Sequence, residues 1–342
     1  MNEATEQVSV VIPLYNKERH IARAIQSALD QTYSNFELIV VNDGSTDQSA
    51  EVVRNISHPR IRMVRREHIN GGGGHAARNL GITESRADLI AFLDADDEWR
   101  PGHLETIMYL SRKHPECGAY ATTTAVMDES GRLVASVHDG IPTHPWEGVI
   151  PNYFRSATSY PVSASAVAIP RRVFDSVGLF PVGVAIGGDL DMWCRIALRY
   201  PICFSTQVGA IYHKEAENRI CVSNTVMKQH SFVRAIQDAL SSGILPPELR
   251  RDVFEYMAVY QVDIASRNIL AGNPRYARQL LWSCRGTREL ANAWKVWMLL
   301  SVLPRSWPAR LRAAKMRLKS PLHAGSASKR VSKLKEESRV DE

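Results

Sequence analysis

The chain has 342 residues, 44% of them hydrophobic, and a formal net charge of +6. At roughly 100–200 residues per domain this suggests one large domain and a smaller one, and the ordinary composition excludes a fibrous or mainly disordered protein. The charge is uneven: 11 Lys/Arg against 4 Asp/Glu between Arg305 and Glu342 give +7, so the remaining residues sum to −1 and only the tail has the character that meets a membrane surface or a polyanion.

The first third alternates strand and helix patterns. Val8–Ile12 is a β-branched run that stops at Pro13. Lys17–Gln31 has helical spacing, with Ile21, Ile25, Ala28 and Leu29 on one face. Phe36–Val41 is a second apolar strand that runs into the turn cluster Asn42-Asp43-Gly44-Ser45, after which Thr46 or Asp47 is placed to cap a helix through Asn55. Ile61–Val64 reads as a strand, His75–Thr83 as a helix and Leu89–Leu93 as a fourth strand. Near-continuous apolar strands separated by helices predict a mostly parallel sheet covered on both faces, with ligands at the carboxyl ends of the strands. That rule points to Pro13–Tyr15, Asn42–Gly44 and Asp94–Asp97.

The middle is less regular. Pro142–Pro151 reads as a loop, Ala164–Ile169 as a strand, Arg171–Val177 and Asp189–Arg199 as helices, and Gly209–Tyr212 as a short strand. From Thr225 only helical patterns follow: Val226–Ser241, Pro247–Leu270, Pro274–Cys284 and Glu289–Leu303. Ala309–Lys319 is a short basic amphipathic helix, and 323–342 lacks apolar periodicity, the pattern of a disordered tail. The expected divisions are 1–222, a helical region 223–303, and a basic segment with its tail, 304–342.

Several acids stand where chemistry is expected. Leu93-Asp94-Ala95-Asp96-Asp97 places three carboxylates directly after a buried strand. One of them, Asp97, could cap a following helix, but a cap needs only one. Hard divalent cations take oxygen ligands, commonly one or two carboxylates plus substrate phosphates, and a strand-end Asp-x-Asp supplies these. Asp43 is either a plain turn aspartate or an acceptor for a nucleobase N–H. Asn70–Gly74 lacks the spacing of a dinucleotide fingerprint and the Lys-Ser/Thr of a P-loop. It reads as a flexible loop, and Arg78 and Asn79 after it are the better candidates for ligand contacts. Asp189 and Asp191 either complement a helix dipole or offer a general base. His213 is a metal or phosphate ligand or an ordinary histidine.

Together these segments resemble the family 2 glycosyltransferases. The resemblance rests on Val10–Asn16, Gln31-Thr32-Tyr33, Phe36–Val41, Asn42–Asp47, Ala77–Ile82, Leu93–Asp97, Arg171–Phe174, Gly178-Leu179-Phe180 and Gly188–Trp193, and covers roughly Val8–His213. It implies a GT-A fold followed by helices, and inverting transfer of a sugar from a nucleotide diphosphate sugar to a glycan or lipid-linked acceptor. Pro13 and Tyr15 would line the base pocket and Asp43 would bind the base. Asp94 would lie near ribose or sugar. Asp96 would hold Mn²⁺ or Mg²⁺ against the diphosphate, with His213 completing the site. Asp189 would be the catalytic base. The family has Glu before that acid where this chain has Gly188, so Asp191 remains an alternative base.

The tail suggests a partner. Trp294, Trp297 and Trp307 surround an apolar stretch, and Arg305, Arg310, Arg312, Lys315, Arg317 and Lys319 follow. This pattern suits peripheral contact with an anionic membrane through residues 294–319, or a helical subdomain with a solvated basic tail. No RNA-recognition motif is visible and no nucleic-acid partner is expected. The five cysteines lack metal or redox spacing, and Met1–Gln7 carries two glutamates and no basic group, unlike a signal peptide. No apolar run reaches the ~18–20 residues of a membrane span, so the expected location is cytoplasmic, with peripheral contact at the cytoplasmic face of a membrane as the alternative to a free protein. Two other functions fit the pattern: a nucleotidyltransferase that makes sugar nucleotides, and a non-catalytic nucleotide-sugar-binding scaffold.

Overall fold

The computed structural model describes residues 6–67, 74–127, 130–184, 187–214, 228–243 and 245–303. Residues 71–73 of the glycine run, 226–227 of one predicted helix, and the basic segment and tail 304–342, with the predicted helix Ala309–Lys319, lie outside them. The chain divides into two compact units. The first comprises Met1–Ser136, Ile141–Tyr153 and Tyr160–Val222; the second comprises Val137–Gly140, Phe154–Ser159 and Ser223–Glu342.

The first unit is an α/β fold, as its alternating patterns require. Its strands are β1 (Val8–Leu14), β2 (Phe36–Asn42), β3 (Ile61–Arg65), β4 (Leu89–Phe92), β5 (Glu98–Trp99), β6 (Ala119–Met127), β7 (Leu133–Ala135), β8 (Glu147–Val149), β9 (Val167–Pro170) and β10 (Ile202–His213). They form one sheet in the order β3-β2-β1-β4-β9-β6-β10-β5, with β7 on β6 and β8 on β10. Strands β3, β2, β1 and β4 run parallel, as do β6 and β10. Strand β9 enters antiparallel between β4 and β6, and β5, β7 and β8 also pair antiparallel.

Helices α1 (Ile21–Leu29), α2 (Ser49–Asn55), α3 (His75–Glu84) and α4 (His103–Lys113) connect the first six strands. Alternation along the strands decides which face each helix covers. Val8, Val10, Ile12 and Leu14 of β1, with Leu38 and Val40 of β2, share a core with Ile21, Ala24 and Ile25 of α1 and Leu104, Ile107 and Met108 of α4. Val11 points the other way, into α3: a Cβ added to Gly81 would stand 2.3 Å from its Cγ1. Each fully buried aliphatic side chain contributes about 1.5–3 kcal/mol relative to exposure, so this core fixes the strand register on which the site depends.

Three elements differ from expectation. Helix α1 begins at Ile21, not Lys17, because the preceding residues are tied to the second loop: the Lys17 N–H donates to Ser49 Oγ (2.8 Å) and the Glu18 N–H to Asp47 Oδ2 (3.1 Å). The expected loop Pro142–Pro151 contains β8. Gly209–Tyr212 is the end of the twelve-residue β10, whose middle is interrupted by register shifts between Ser205 and Ala210. Later in the unit, α6 (Arg171–Val177) and α7 (Gly188–Ala197) follow the predicted spans closely. The short α5 (Tyr153–Ser156), of which only Tyr153 belongs to the first unit, has no counterpart among the expected elements.

The second unit is helical: α8 (Phe232–Ser242), α9 (Pro247–Leu270), α10 (Pro274–Ser283) and α11 (Ala291–Leu300). Pro247 and Pro274 stand in the first turns of α9 and α10, where the missing N–H costs nothing. Helix α9 is buried on most of its circumference, and its buried carboxylates are paired. Arg155 Nε holds Asp252 at 2.9 Å, Thr287 Oγ1 donates to Glu255 at 2.5 Å, and Arg267 Nε meets Asp263 at 2.8 Å. Trp294, Trp297, Met298 and Leu300 pack on the core formed by α9 and α10, and Trp294 Nε1 donates to the Leu281 carbonyl at 2.7 Å. The tryptophans of α11 therefore face protein, and Val296, Leu299 and Val302 are left exposed. Among the described residues no helix is long and apolar enough to cross a membrane.

Candidate active site

The carboxyl ends of β1, β2 and β4 lie side by side. Leu14 is in register with Asn42, the Asp43 N–H donates to the Leu14 carbonyl at 2.8 Å, and the Leu93 N–H donates to the Val11 carbonyl at 3.1 Å. The first two loops are laced together. Asn16 adopts a left-handed conformation (φ 50°), Thr46 N–H donates to its Oδ1 at 2.8 Å, and Ser45 N–H donates to Asn42 Oδ1 at 2.9 Å. Pro13 and Tyr15 stand at this rim, Tyr15 with 41% of its surface exposed. Pro13 also borders the first turn of α3, its Cβ 3.8 Å from where a Cβ on Gly74 would lie.

Each strand-tip acid is matched by a cation from elsewhere in the chain. Asp43 is buried and ion-paired with Arg66, which the end of β3 delivers through a bond from its N–H to the Asn42 carbonyl (3.0 Å). Asp94 is ion-paired with Arg78 of α3. Asp96 accepts from Lys17 Nζ at 2.7 Å, and Arg23 Nη2 donates to its backbone carbonyl at 2.8 Å. Arg66, Lys17 and Arg23 are site residues that the sequence analysis missed. Lys17, directly after the first strand tip, carried the one local signal.

Asp97 is a support, not a helix cap. It is 2% exposed, accepts from Ser165 Oγ, and receives the His213 N–H at 3.4 Å. Burial, then the charges of Asp94 and Asp96, push its carboxyl well above the ordinary aspartate range. Ser165 also accepts from the Asp94 N–H at 3.2 Å, and its carbonyl accepts from Trp99 Nε1 at 2.6 Å, so β5 and the segment before β9 brace the acidic turn. His213 is buried with Nε2 3.2 Å from Glu98 Oε2. That contact places His213 beside the acidic turn, next to the residue that follows Asp97.

Helix α7 supplies the remaining acids. Asp189 stands in its first turn. Burial raises its carboxyl, and the Arg78 charge opposes that rise while Asp94 adds to it. Asp189 thus shares one electrostatic environment with the Arg78–Asp94 pair. Asp191 is buried and held by Arg195 Nε at 2.6 Å, and Arg195 also donates to the Val177 and Leu179 carbonyls. Asn79 is placed otherwise than expected. Its Nδ2 donates to the Phe180 carbonyl (2.9 Å) and its Oδ1 accepts from the Phe180 N–H (3.0 Å), which makes it a clamp between α3 and the segment leading to α7.

Strand-end carboxylates are hard oxygen donors of the kind Mg²⁺ and Mn²⁺ take. Among the described residues no group of three or more His, Cys, Asp and Glu side chains could hold a metal by itself. Asp94 and Asp96 fit a cation that completes its shell with phosphate oxygens and water. The four described cysteines, Cys117, Cys194, Cys203 and Cys284, are buried and free, and none lies among these residues.

Residues 9–165 match the profile of Glycosyl transferase family 2. An uncharacterized glycosyltransferase of Rickettsia bellii is 31% identical over 220 residues, which is 64% of this chain but 29% of that protein. An uncharacterized glycosyltransferase of Nostoc sp. is 26% identical over 329 residues, 94% of this chain and 99% of its own. The chain thus spans about a third of the Rickettsia relatives it matches and nearly the whole of the Nostoc one. The crystal structure of S. aureus TarS 1-349 in complex with UDP-GlcNAc shares the fold, with a TM-score of 0.58 at 16% identity over 84% of this chain and 91% of that one. On the profile match and these relatives, residues 9–165 form a family 2 glycosyltransferase domain.

Proposed function

We propose that the chain transfers a sugar from a nucleoside diphosphate sugar to an acceptor hydroxyl, with inversion at the anomeric carbon. The observation that carries this reading is the Arg78–Asp94 ion pair, whose charges act on Asp189, together with the Asp96–Lys17 pair on the same strand-end turn. Asp43, with Pro13 and Tyr15 at the carboxyl ends of β1 and β2, takes the nucleobase of a nucleoside diphosphate sugar, the class of ligand with which TarS was crystallised. Lys17 and Arg78, paired with Asp96 and Asp94, supply the positive charge that a diphosphate requires. Asp189 accepts the proton of the attacking hydroxyl as its oxygen bonds to the anomeric carbon and the bond to the phosphate oxygen breaks. A base whose pKa is raised toward the working pH suits that role, whereas Asp191 is tied to Arg195. A Mn²⁺ or Mg²⁺ ion held by Asp96, with Asp94 beside it, would neutralise the charge of the departing diphosphate.

The acceptor is a glycan or a lipid-linked glycan in cell-surface polymer assembly, reached from a membrane face. Support for the membrane comes from the exposed Val296, Leu299 and Val302, spaced on one side of α11 and its last turn, immediately before the Arg/Lys-rich stretch 305–319.

Product analysis with a panel of nucleotide sugars and Mn²⁺ tests the reaction. Release of free nucleoside diphosphate, lost on chelation or in Asp96→Ala, is expected. Release of pyrophosphate would assign a nucleotidyltransferase, and release undiminished by chelator would remove the metal from the account.

A further inference from the structure

Gly188 opens α7 with its Cα against the ring of His75. A Cβ built there would stand 2.3 Å from Nε2, 2.7 Å from Cδ2 and 3.0 Å from Cε1. No side chain fits at 188 while His75 keeps its place. His75 opens α3 and is 4% exposed, stacked on Phe180 with ring centroids 5.8 Å apart and planes within 2°. Its Nδ1 lies 3.4 Å from Arg78 Nη1. A guanidinium only donates, so Nδ1 is the acceptor, and the proton of the neutral ring is assigned to Nε2, the atom that faces Gly188. Burial and then the Arg78 charge lower the imidazole pKa to about 3, so the ring is neutral across the physiological range.

The stack is fixed from behind. Phe180 is clamped through its backbone by Asn79 and meets Phe92 and Trp193 edge-on at 5.5 and 6.0 Å. In front, the same Arg78 pairs with Asp94, and its charge reaches Asp189, the residue after Gly188.

We propose that His75 and Gly188 form a fitted pair: His75 is a positioning residue that aims Arg78 at Asp94 and Asp189, and Gly188 is the space its ring requires. The inference rests on the transferase reading for its consequence on turnover. It also accounts for the glycine that stands where the family has Glu. A neutral ring occupies the volume that a side chain at 188 would need, and it carries no negative charge beside the proposed base.

The test measures melting temperature, kcat and donor KM of the full chain and five variants. Gly188→Ala is expected to lower the melting temperature and to cut kcat by about tenfold or more, because the start of α7 must shift. The double variant His75→Ala/Gly188→Ala is expected to be more stable than Gly188→Ala, since removal of the ring relieves the clash, and non-additivity of this kind marks residues in contact. His75→Ala alone completes the cycle. His75→Asn places an amide oxygen near the position of Nδ1, whereas His75→Leu fills volume without an acceptor. Asn is expected to retain kcat within about threefold and Leu to lose about tenfold with donor KM nearly constant, a pattern that marks loss of an interaction used in turnover. A Leu variant as active as the Asn variant would reduce His75 to a space-filler and overturn its role toward Arg78. A Gly188→Ala protein as stable as the parent, or a double variant no more stable than Gly188→Ala, would overturn the pair itself. Should the parent release no nucleoside diphosphate from any donor, the transferase reading fails and the positioning role fails with it, while the stability cycle still decides whether the two residues are fitted.

Discussion

Asp189 and Asp191 stand in the same turn of α7 but are held differently, and that difference separates their proposed roles. Asp191 is fixed by Arg195, whereas Asp189 is raised by burial and lies under the influence of Arg78. If Asp189 takes the acceptor's proton, its carboxylate is the active form. A raised pKa means this form is lost on acidification sooner than in an ordinary aspartate. The rate should then fall on the acid side with a midpoint above the usual 3.8. Asp189→Asn should lower kcat by about 10²–10⁴-fold and leave donor binding in place. Steady-state kinetics across pH check both; a comparable loss in a stably folded Asp191→Asn protein, with Asp189→Asn active, would exchange the two roles. The acids of this site were legible in the sequence because they follow apolar strands in short runs. Their partners were not. Arg66 lies 23 residues from Asp43, Lys17 79 from Asp96 and Ser165 71 from Asp94, and no local pattern encodes such pairings. Asn79 adjoins Arg78 in sequence, yet its amide turns to Phe180, 101 residues away.

At the level of elements, strands β1, β2, β4 and β9 were readable because burial on both faces leaves almost uninterrupted Val, Ile, Leu and Ala. Strand β6 was not, since Thr122-Thr123-Thr124 breaks its apolar run. Thr122 and Thr123 are buried with hydrogen-bond partners: Thr122 Oγ1 lies 3.0 Å from His103 Nδ1, and Thr123 Oγ1 donates to the Ser205 carbonyl at 3.5 Å. Strand β10 was read only at its end, because Ser205-Thr206-Gln207 occupies the irregular middle. The close approach of α3 to β1 depends on Gly81, whose missing side chain admits Val11. Gly81→Ala should destabilise the first unit by about 1–3 kcal/mol, the usual cost of an inserted methyl in a packed core. Urea unfolding measures this, and an unchanged midpoint would show that α3 can slide on the strand.

At the level of the whole molecule, the helical unit was legible as helices but not in which face they bury. The tryptophans of α11 read as interfacial residues, yet Trp294 and Trp297 pack inward, and the outward apolar positions are Val296, Leu299 and Val302, 48%, 63% and 64% exposed in turn. The proposed membrane contact therefore rests on these three and the basic stretch that follows. Changing all three to Ser should weaken sedimentation with anionic liposomes while leaving the fold intact, since each buried aliphatic contributes about 1.5–3 kcal/mol and each basic residue near the surface about 1 kcal/mol. Equal binding by the triple variant would place the contact elsewhere, and no binding by the parent would remove it.

The central claim is that the strand-tip acids and Asp189 serve one donor-binding site. Thermal unfolding with nucleotide sugars and Mn²⁺ tests it most directly, because a ligand at a hundredfold excess over its Kd stabilises the native state by about 2.7 kcal/mol. One donor should raise the melting temperature of the parent and of Asp189→Asn but not of Asp43→Ala or Asp96→Ala. A shift that survives in both alanine variants, or no shift of the parent with any donor, would contradict the account.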